Sequence, residues 1–479
     1  MVRPYDYGQK ASFPMKPFSR FKLLAWCCLL GGFALPVPAQ TVTNLYSFTG
    51  TNDGAGPRGP MTLGVDGNLY GTTISGGSNN VGTFFRFTPG GSLTNLYSFI
   101  GTNQSNPIGN LVQGSDTNFY GTAGAGGPNS NGTVYVVSPA GNFTNIHIFN
   151  GLDGTGPYTG MMIGSDSNFY GATLLGGAYN AGTIFRITPS GTFSNLYSFA
   201  GIPDGAGPTR LVQGKDGNYY GTATGGGTNS MISGGQTNYP FGTVFRMTPS
   251  GSVTNLHNFT GADGWQPTGS LALGNDGNFY GTTYMGGSSN LGTVFMITPG
   301  GNFTNLYSFT GTNDGAGPVF APLLGNDGNF YGTTLAGGIS NKGTVFVITP
   351  GGSLTNLYSF TGKPDGQSPV AGLVAGNDGN YYGSTTLGGT SNRGTLFRIN
   401  VTPANRISAI VRVDTNILVS IPAVAGDSYQ LQFRTSLTTG TWSNIAGAFV
   451  SNSLGGLLTL TNFGGALQPQ GFFRFSITP

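Results

Sequence analysis

The chain contains no glutamate; its 16 acidic residues are all aspartates. Charged side chains make up 7% of its 479 positions, against roughly a quarter in ordinary soluble domains. Cysteine and histidine occur twice each and tryptophan three times. Each shortage removes a class of chemistry. Cys27 and Cys28 both lie near the amino terminus, so a chain processed behind Ala39 would hold neither a disulfide nor a thiol nucleophile. With only His147 and His257 remaining, no zinc-type ligand set and no cysteine-based catalytic pair can be assembled. No metal, cofactor or catalytic residue is therefore expected.

Long apolar runs are missing too. The run Leu23–Leu35 follows Arg20 and Lys22 and precedes Val37-Pro38-Ala39, with small residues at the −3 and −1 positions of a cleavage site. This reads as a secretory signal over residues 1–39, too short to span a bilayer comfortably. The leader carries five of the 19 Lys/Arg and one of the 16 aspartates, leaving 14 positive against 15 negative side chains. That near-neutral balance gives no electrostatic basis for nucleic acid or an anionic membrane as partner. The expected location is outside the inner membrane: secreted, periplasmic or at the cell surface, with no membrane insertion after cleavage.

What is abundant is glycine, 86 residues, at recurring positions. The tripeptide at Tyr70-Gly71-Thr72 returns at Tyr120, Tyr170, Tyr220, Tyr280, Tyr331 and Tyr382, with spacings of 50, 50, 50, 60, 51 and 51. Each unit divides into four short segments bounded by turn residues. In the first copy these are Met61-Thr62-Leu63, an Asp66-Gly67-Asn68 turn into NLYGTT, a Gly76-Gly77 loop into GTFFRFTP, and a Pro-Gly-Gly turn into NLYSF. Asp-Gly and Gly-Asn favour the positive φ angles of tight hairpins. The period-2 pattern puts Leu69 and Gly71 on one face of the second segment and Tyr70 and Thr72 on the other. No stretch keeps a helical period.

Four strands in roughly 50 residues fit a propeller blade. The array's ends support a ring. A fourth-segment copy at Asn44–Phe48 precedes the first Tyr-Gly-Thr, whereas none follows the last third segment, which ends at Ile399. The orphan can complete the seventh blade and remove the open edge. A seven-bladed all-β propeller over residues 40–402 is expected, a β-solenoid being the competing architecture. The repeats resemble the GloVer tandem-repeat family of exported bacterial proteins, whose pattern of LYSF, a DG-containing loop, DGNLYGTT, GG and GTVFRITP matches from Asn44 to about Ile399. The resemblance implies a propeller-like surface protein and brings no catalytic residues. From residue 403 to 479 glycine thins and alternation appears, with Tyr429, Leu431 and Phe433 on one face. We read a small β-sandwich of immunoglobulin or fibronectin type.

Thirteen aspartates belong to the repeat itself. Asp66, Asp116, Asp166, Asp216, Asp276, Asp327 and Asp378 occupy the hairpins, and Asp53, Asp153, Asp204, Asp263, Asp314 and Asp365 the loop after NLYSF. Equivalent, solvated turn aspartates suit side-chain to backbone bonding. They do not suit a glycosidase, which needs two carboxylates in different environments, and one carboxylate per loop is a thin supply for calcium. His147 and His257 stand where Tyr46, Tyr97, Tyr197, Tyr307 and Tyr358 stand in other copies, as substitutions in a repeated slot. Arg86, Arg186, Arg246 and Arg398 share a third-strand slot with apolar residues, so their stems should lie over a strand surface.

One place breaks the symmetry. The fourth copy carries about ten extra residues between Thr228 and Phe241, including Asn238 and Tyr239, and the next inter-blade loop carries Trp265 behind Asp263. In a propeller those two loops share a rim. Trp265, Tyr239, Asn238 and Asp263 are the candidate ligand-binding residues, suited to stacking on a sugar or on a partner's apolar group. The alternative is that Trp265 merely covers the base of the insertion. The leading function is a non-enzymatic, exported binding or surface scaffold with a glycan or an envelope protein as ligand. A propeller-type lyase acting on polysaccharide or a small molecule, and a spacer displaying the C-terminal domain, are the rivals.

Overall fold

The computed structural model describes residues 42–479 except 102–104, 230, 234–235, 239–240, 401–408, 414, 426–427, 435–440, 442, 451–453, 463–471 and 479. The leader, Tyr239 and Trp442 thus lie outside the described residues. Among the described residues every regular element is a strand, and no helix is long and apolar enough to cross a membrane.

In blade 1 the first strand is Thr62–Leu63, the second Leu69–Ser75, the third Thr83–Phe87 and the fourth Leu93–Ser98. They run antiparallel, with Thr62 opposite Tyr70, Tyr70 opposite Arg86 and Arg86 opposite Thr94. The arrangement recurs to give seven such sheets. Blade 7 takes its fourth strand from the start of the described chain: Val42–Ser47 pairs with Thr395–Ile399, Val42 opposite Ile399 and Ser47 opposite Thr395. The chain is a seven-bladed β-propeller, latched by the strand that the ends of the array predict.

The turn aspartates explain why each hairpin forms. Asp66 Oδ1 accepts the Asn68 amide at 3.1 Å and its Oδ2 accepts the Tyr70 hydroxyl at 2.8 Å, while Gly67 holds φ +79°. The tyrosine-to-aspartate bond repeats in every blade, at 2.7–2.9 Å. The core lies between blades. Leu69, Phe85 and Phe87 pack with Phe48 and Tyr382 of blade 7, whereas Tyr70 and Phe84 pack with Phe119 and Tyr135 of blade 2. Gly71 has to be glycine, because a Cβ there would stand 2.6 Å from the Phe85 ring.

Two features carry no sequence signature. Each described fourth strand shifts register against the third, as between Asn44 and Tyr46 or Phe84 and Phe85. The bulge lets Asn95 Nδ2 reach both the Ser98 hydroxyl at 3.1 Å and the Asn52 carbonyl at 2.6 Å. In addition, Ala55–Pro57 and Ala206–Pro208 form short strands against the far end of the second strand, Ala55 opposite Ser75 and Ala206 opposite Gly225. This pairing sets the inter-blade loops beside the loops joining second and third strands, on one rim. First strands of neighbouring blades touch around the axis: Asn110 bridges Gly160 in parallel, and the Thr62 hydroxyl donates to the Leu111 carbonyl at 2.6 Å.

The described residues of the tail form two three-stranded antiparallel sheets. One holds Ala409–Val413, Asn416–Ala425 and Leu454–Asn462, the other Ser428–Arg434, Ser443–Val450 and Phe472–Thr478. A cluster of Val419, Leu431, Ala448 and Leu460 draws on both, and Tyr429 is buried alongside Leu431 as the alternation requires.

Candidate functional site on one rim

The aspartates of the inter-blade loops are held within the scaffold. Tyr46, Tyr197, Tyr307 and Tyr358 donate to Asp53, Asp204, Asp314 and Asp365 at 3.0, 2.7, 2.9 and 2.6 Å, in each case seven residues on. His147 and His257 meet Asp153 and Asp263 at 3.0 and 2.9 Å, six residues on. The histidines therefore replace tyrosine where the loop is one residue shorter. Each also lies flat on a phenylalanine of the next blade, His147 on Phe193 at 3.8 Å and His257 on Phe303 at 3.9 Å. Burial lowers the His147 pKa by more than Asp153 raises it. Among the described residues no group of three or more His, Cys, Asp or Glu could hold a metal ion.

The candidate residues separate accordingly. Asp263 accepts His257, the Thr260 amide at 2.8 Å and the Thr260 hydroxyl at 2.8 Å. Burial pushes its carboxyl up, but these bonds outweigh it and hold Asp263 below the usual carboxylate range. Its acceptors are committed to the loop. Trp265 is bridged through its backbone to Met285, at 2.8 and 2.9 Å, and its ring stands edge-on to Phe241 with centroids 6.1 Å apart. The Trp265 indole Nε1 is buried without a hydrogen-bond partner among the described residues. Phe241 closes the insertion, whose short hairpin pairs Met231–Ser233 with Gln236–Asn238, Met231 opposite Asn238. Trp265 and the insertion thus meet on one rim, and the Asp263 carboxylate turns to His257 instead. The side chain of Asn238 is outside the description.

Sequence reasoning missed the cleft beside them. An open hollow of about 510 Å³ lies over blade 4, lined by Leu174, Leu175, Tyr179 and Asn180 from blade 3, by Thr224 and Gly225, and by Gln266. Tyr179 is 67% exposed and Leu175 46%, so the hollow offers an aromatic and an aliphatic side chain to solvent side by side. Asn180 Oδ1 accepts the Gly176 amide at 3.0 Å. Gln266 sits at φ +54°, where four other blades have glycine, and its backbone is tied to Phe241 at 3.0 Å and Tyr284 at 2.9 Å. Two signals were available. Tyr179 fills a loop slot held by asparagine or serine in every other copy, and Gln266 puts a long side chain into a slot for left-handed backbone.

The ring and this rim define a tandem-repeat propeller with a candidate ligand cleft. More particularly, the chain belongs to the Gloeobacter/Verrucomicrobia repeat family, whose pattern matches residues 32–233 and 229–417. No curated protein matches the sequence. Similar solved structures include the extracellular domain of a protein described as a hybrid two-component system from B. thetaiotaomicron. It is 10% identical, over 92% of this chain and 55% of that one, with a TM-score of 0.49. A gluconolactonase from Xanthomonas campestris is 13% identical over 76% and 98%, TM-score 0.39. A protein described as a 6-phosphogluconolactonase from Bacteroides uniformis is 16% identical over 82% and 98%, TM-score 0.43.

Proposed function

We propose that the protein is an exported binding scaffold whose ring presents the cleft over blade 4 to a glycan. The observation that carries this reading is Tyr179, 67% exposed at the edge of a hollow of about 510 Å³. An aromatic face takes the C–H face of a sugar ring, and planar amides such as Gln266 take its hydroxyls through paired donors and acceptors. Trp265 extends the same rim, while Asp263 orients the Trp265 loop; Asn238 and Tyr239 of the insertion are further candidate contacts on sequence grounds. The two sheets of the tail are read as a sandwich module of immunoglobulin or fibronectin type, and the leader as a signal that places the ring outside the inner membrane.

A glycan array probed with the mature protein, Tyr179→Ala and Trp265→Ala tests this. Binding by the parent that falls at least about tenfold in Tyr179→Ala, a loss of about 1.4 kcal/mol, supports the cleft. Glycan binding unchanged by Tyr179→Ala overturns it, as does capture of an envelope protein through this rim with no glycan bound.

A further inference from the structure

At the axial end of blade 4, one residue ahead of the first strand Val212–Gln213, with Leu211 between them, stands Arg210. The corresponding slot in the other six blades holds proline, asparagine, glycine, serine, alanine and glycine, so this is its one charged occupant. The side chain crosses to blade 3, where Nε donates to the Met161 carbonyl at 3.2 Å. Asn110 of blade 2 sends Nδ2 to the same carbonyl at 3.4 Å. Two side chains from blades on either side of Met161 therefore converge on one point at the axis.

That single bond leaves the outer guanidinium nitrogens of Arg210 without a partner among the described residues. The ion pairs found there are His147–Asp153 and His257–Asp263, so no carboxylate balances this cation. Protein surrounds the half-buried guanidinium, and the lost hydration pulls its pKa down to about 10. Because the residue is only half-buried, an anion can reach it from solvent, and a partly dehydrated cation with no carboxylate beside it attracts one. A second unpaired group lies in the same interface. The Thr159 hydroxyl is buried with no partner among the described residues. Its counterpart Thr209 bonds Thr222 at 2.8 Å and reaches the Gly269 carbonyl of the next blade at 3.4 Å. At the blade 3–4 interface the residue matching Thr222 is Ala172, which offers no hydroxyl. By that register Thr159 faces the Thr209–Arg210 segment.

We infer that the mouth of the central channel at Arg210 is a binding site for a small oxyanion, a carboxylate or a phosphate, taken by the guanidinium with the Thr159 hydroxyl as a second donor. The guanidinium fork matches two oxygens of such a group. The site is separate from the cleft over blade 4, and its occupancy does not depend on that reading.

Calorimetric titration of the mature protein with sodium glucuronate, inorganic phosphate and neutral glucose tests it, with Arg210→Gln, Thr159→Val and Tyr179→Ala alongside. One of the two anions is expected to bind at a single site, weaken with added salt, and bind at least tenfold less well to Arg210→Gln, with glucose silent and Tyr179→Ala unaffected. Which anion responds identifies the source of the oxyanion. If Arg210→Gln does not fold, a several-fold loss in Thr159→Val serves in its place. Failure of both anions to bind the parent protein, or binding unchanged in Arg210→Gln or in Thr159→Val, overturns the inference.

Discussion

His257 lies face to face with Phe303, ring centroids 3.9 Å apart and planes 4° from parallel, while its Nε2 donates to Asp263 at 2.9 Å. Its equivalent in blade 5, Tyr307, reaches Asp314 across a loop one residue longer. Ring size and loop length have therefore changed together. Tyrosine at 257 on the present loop should overreach Asp263 and leave a half-buried carboxylate poorly paired. His257→Tyr is expected to cost about 1–3 kcal/mol. Adding one Asn between Ala262 and Asp263, so that the loop copies Thr310–Asp314, should recover most of it. Urea denaturation of the two variants measures both. No recovery would mean that loop length and ring identity are independent.

These pairs also set an expected pH profile. Burial holds His147 below its ordinary 6.5 despite Asp153. Folding thus favours the neutral ring, and its contribution is complete above pH 6.5 and lost as the pH falls below it. Tyr70, Tyr120, Tyr220 and Tyr382 are pushed up to about 12, by burial first and then by their aspartates. Their contribution is complete below pH 10 and lost as the pH rises toward 12. Burial raises Asp66, Asp166, Asp216 and Asp378, but hydrogen bonds from asparagine and tyrosine hold them below 3.8, so they lose stability only under stronger acid. Thermal melts should show a plateau from about pH 6.5 to 10, a shallow acid slope and a steep alkaline fall, with the aspartate-bonded tyrosines acting together. A melting temperature still rising above pH 10 would contradict the tyrosine–aspartate account.

The latch makes a further expectation. Phe48 and Phe99 occupy the same place after the fourth strand, and both are fully buried. Phe48 belongs to the strand that closes the ring, yet its packing against Phe85 at 5.6 Å matches that of Phe99 against Tyr135 at 5.6 Å. Phe48→Ala and Phe99→Ala should each cost about 3–5 kcal/mol. Equal losses in chemical denaturation mean that the closing blade is as firmly integrated as blade 1. A much smaller loss for Phe48→Ala would show a ring that opens at the latch before it unfolds.

The ring was legible because its determinants are local and repeated. Tyr70 and its six counterparts mark every second strand, the aspartate four residues earlier marks every hairpin, and the unmatched Asn44–Phe48 segment betrays closure. The bulge at Asn44 was not, since an extra residue in a register leaves no mark in composition. The strand Ala55–Pro57 was hidden by glycine and proline, which argue against strands in general. On the rim, the ten extra residues drew attention to Trp265 because length and rarity are visible in a sequence. Tyr179 and Arg210 are single departures inside otherwise regular slots. Their weight comes from what lies across the interface, a hollow for one and an unpaired threonine for the other, and those neighbours belong to different copies of the repeat.

Gln266 offers the sharpest separation of scaffold from site. Its φ of +54° lies in the left-handed region, which costs a side-chain-bearing residue about 1 kcal/mol or more and glycine almost nothing. The corresponding residues Gly56, Gly156, Gly207 and Gly317 hold φ between +63° and +66°. Gln266→Gly should therefore stabilise the fold by about 0.5–1 kcal/mol. If the amide is retained because it meets a ligand in the cleft, the same substitution should weaken glycan binding several-fold while the melting temperature rises. Higher stability with unchanged binding would make Gln266 an ordinary tolerated residue. A fall in stability would mean that its side chain supports the loop between Phe241 and Tyr284, and that the cleft's polar wall is structural.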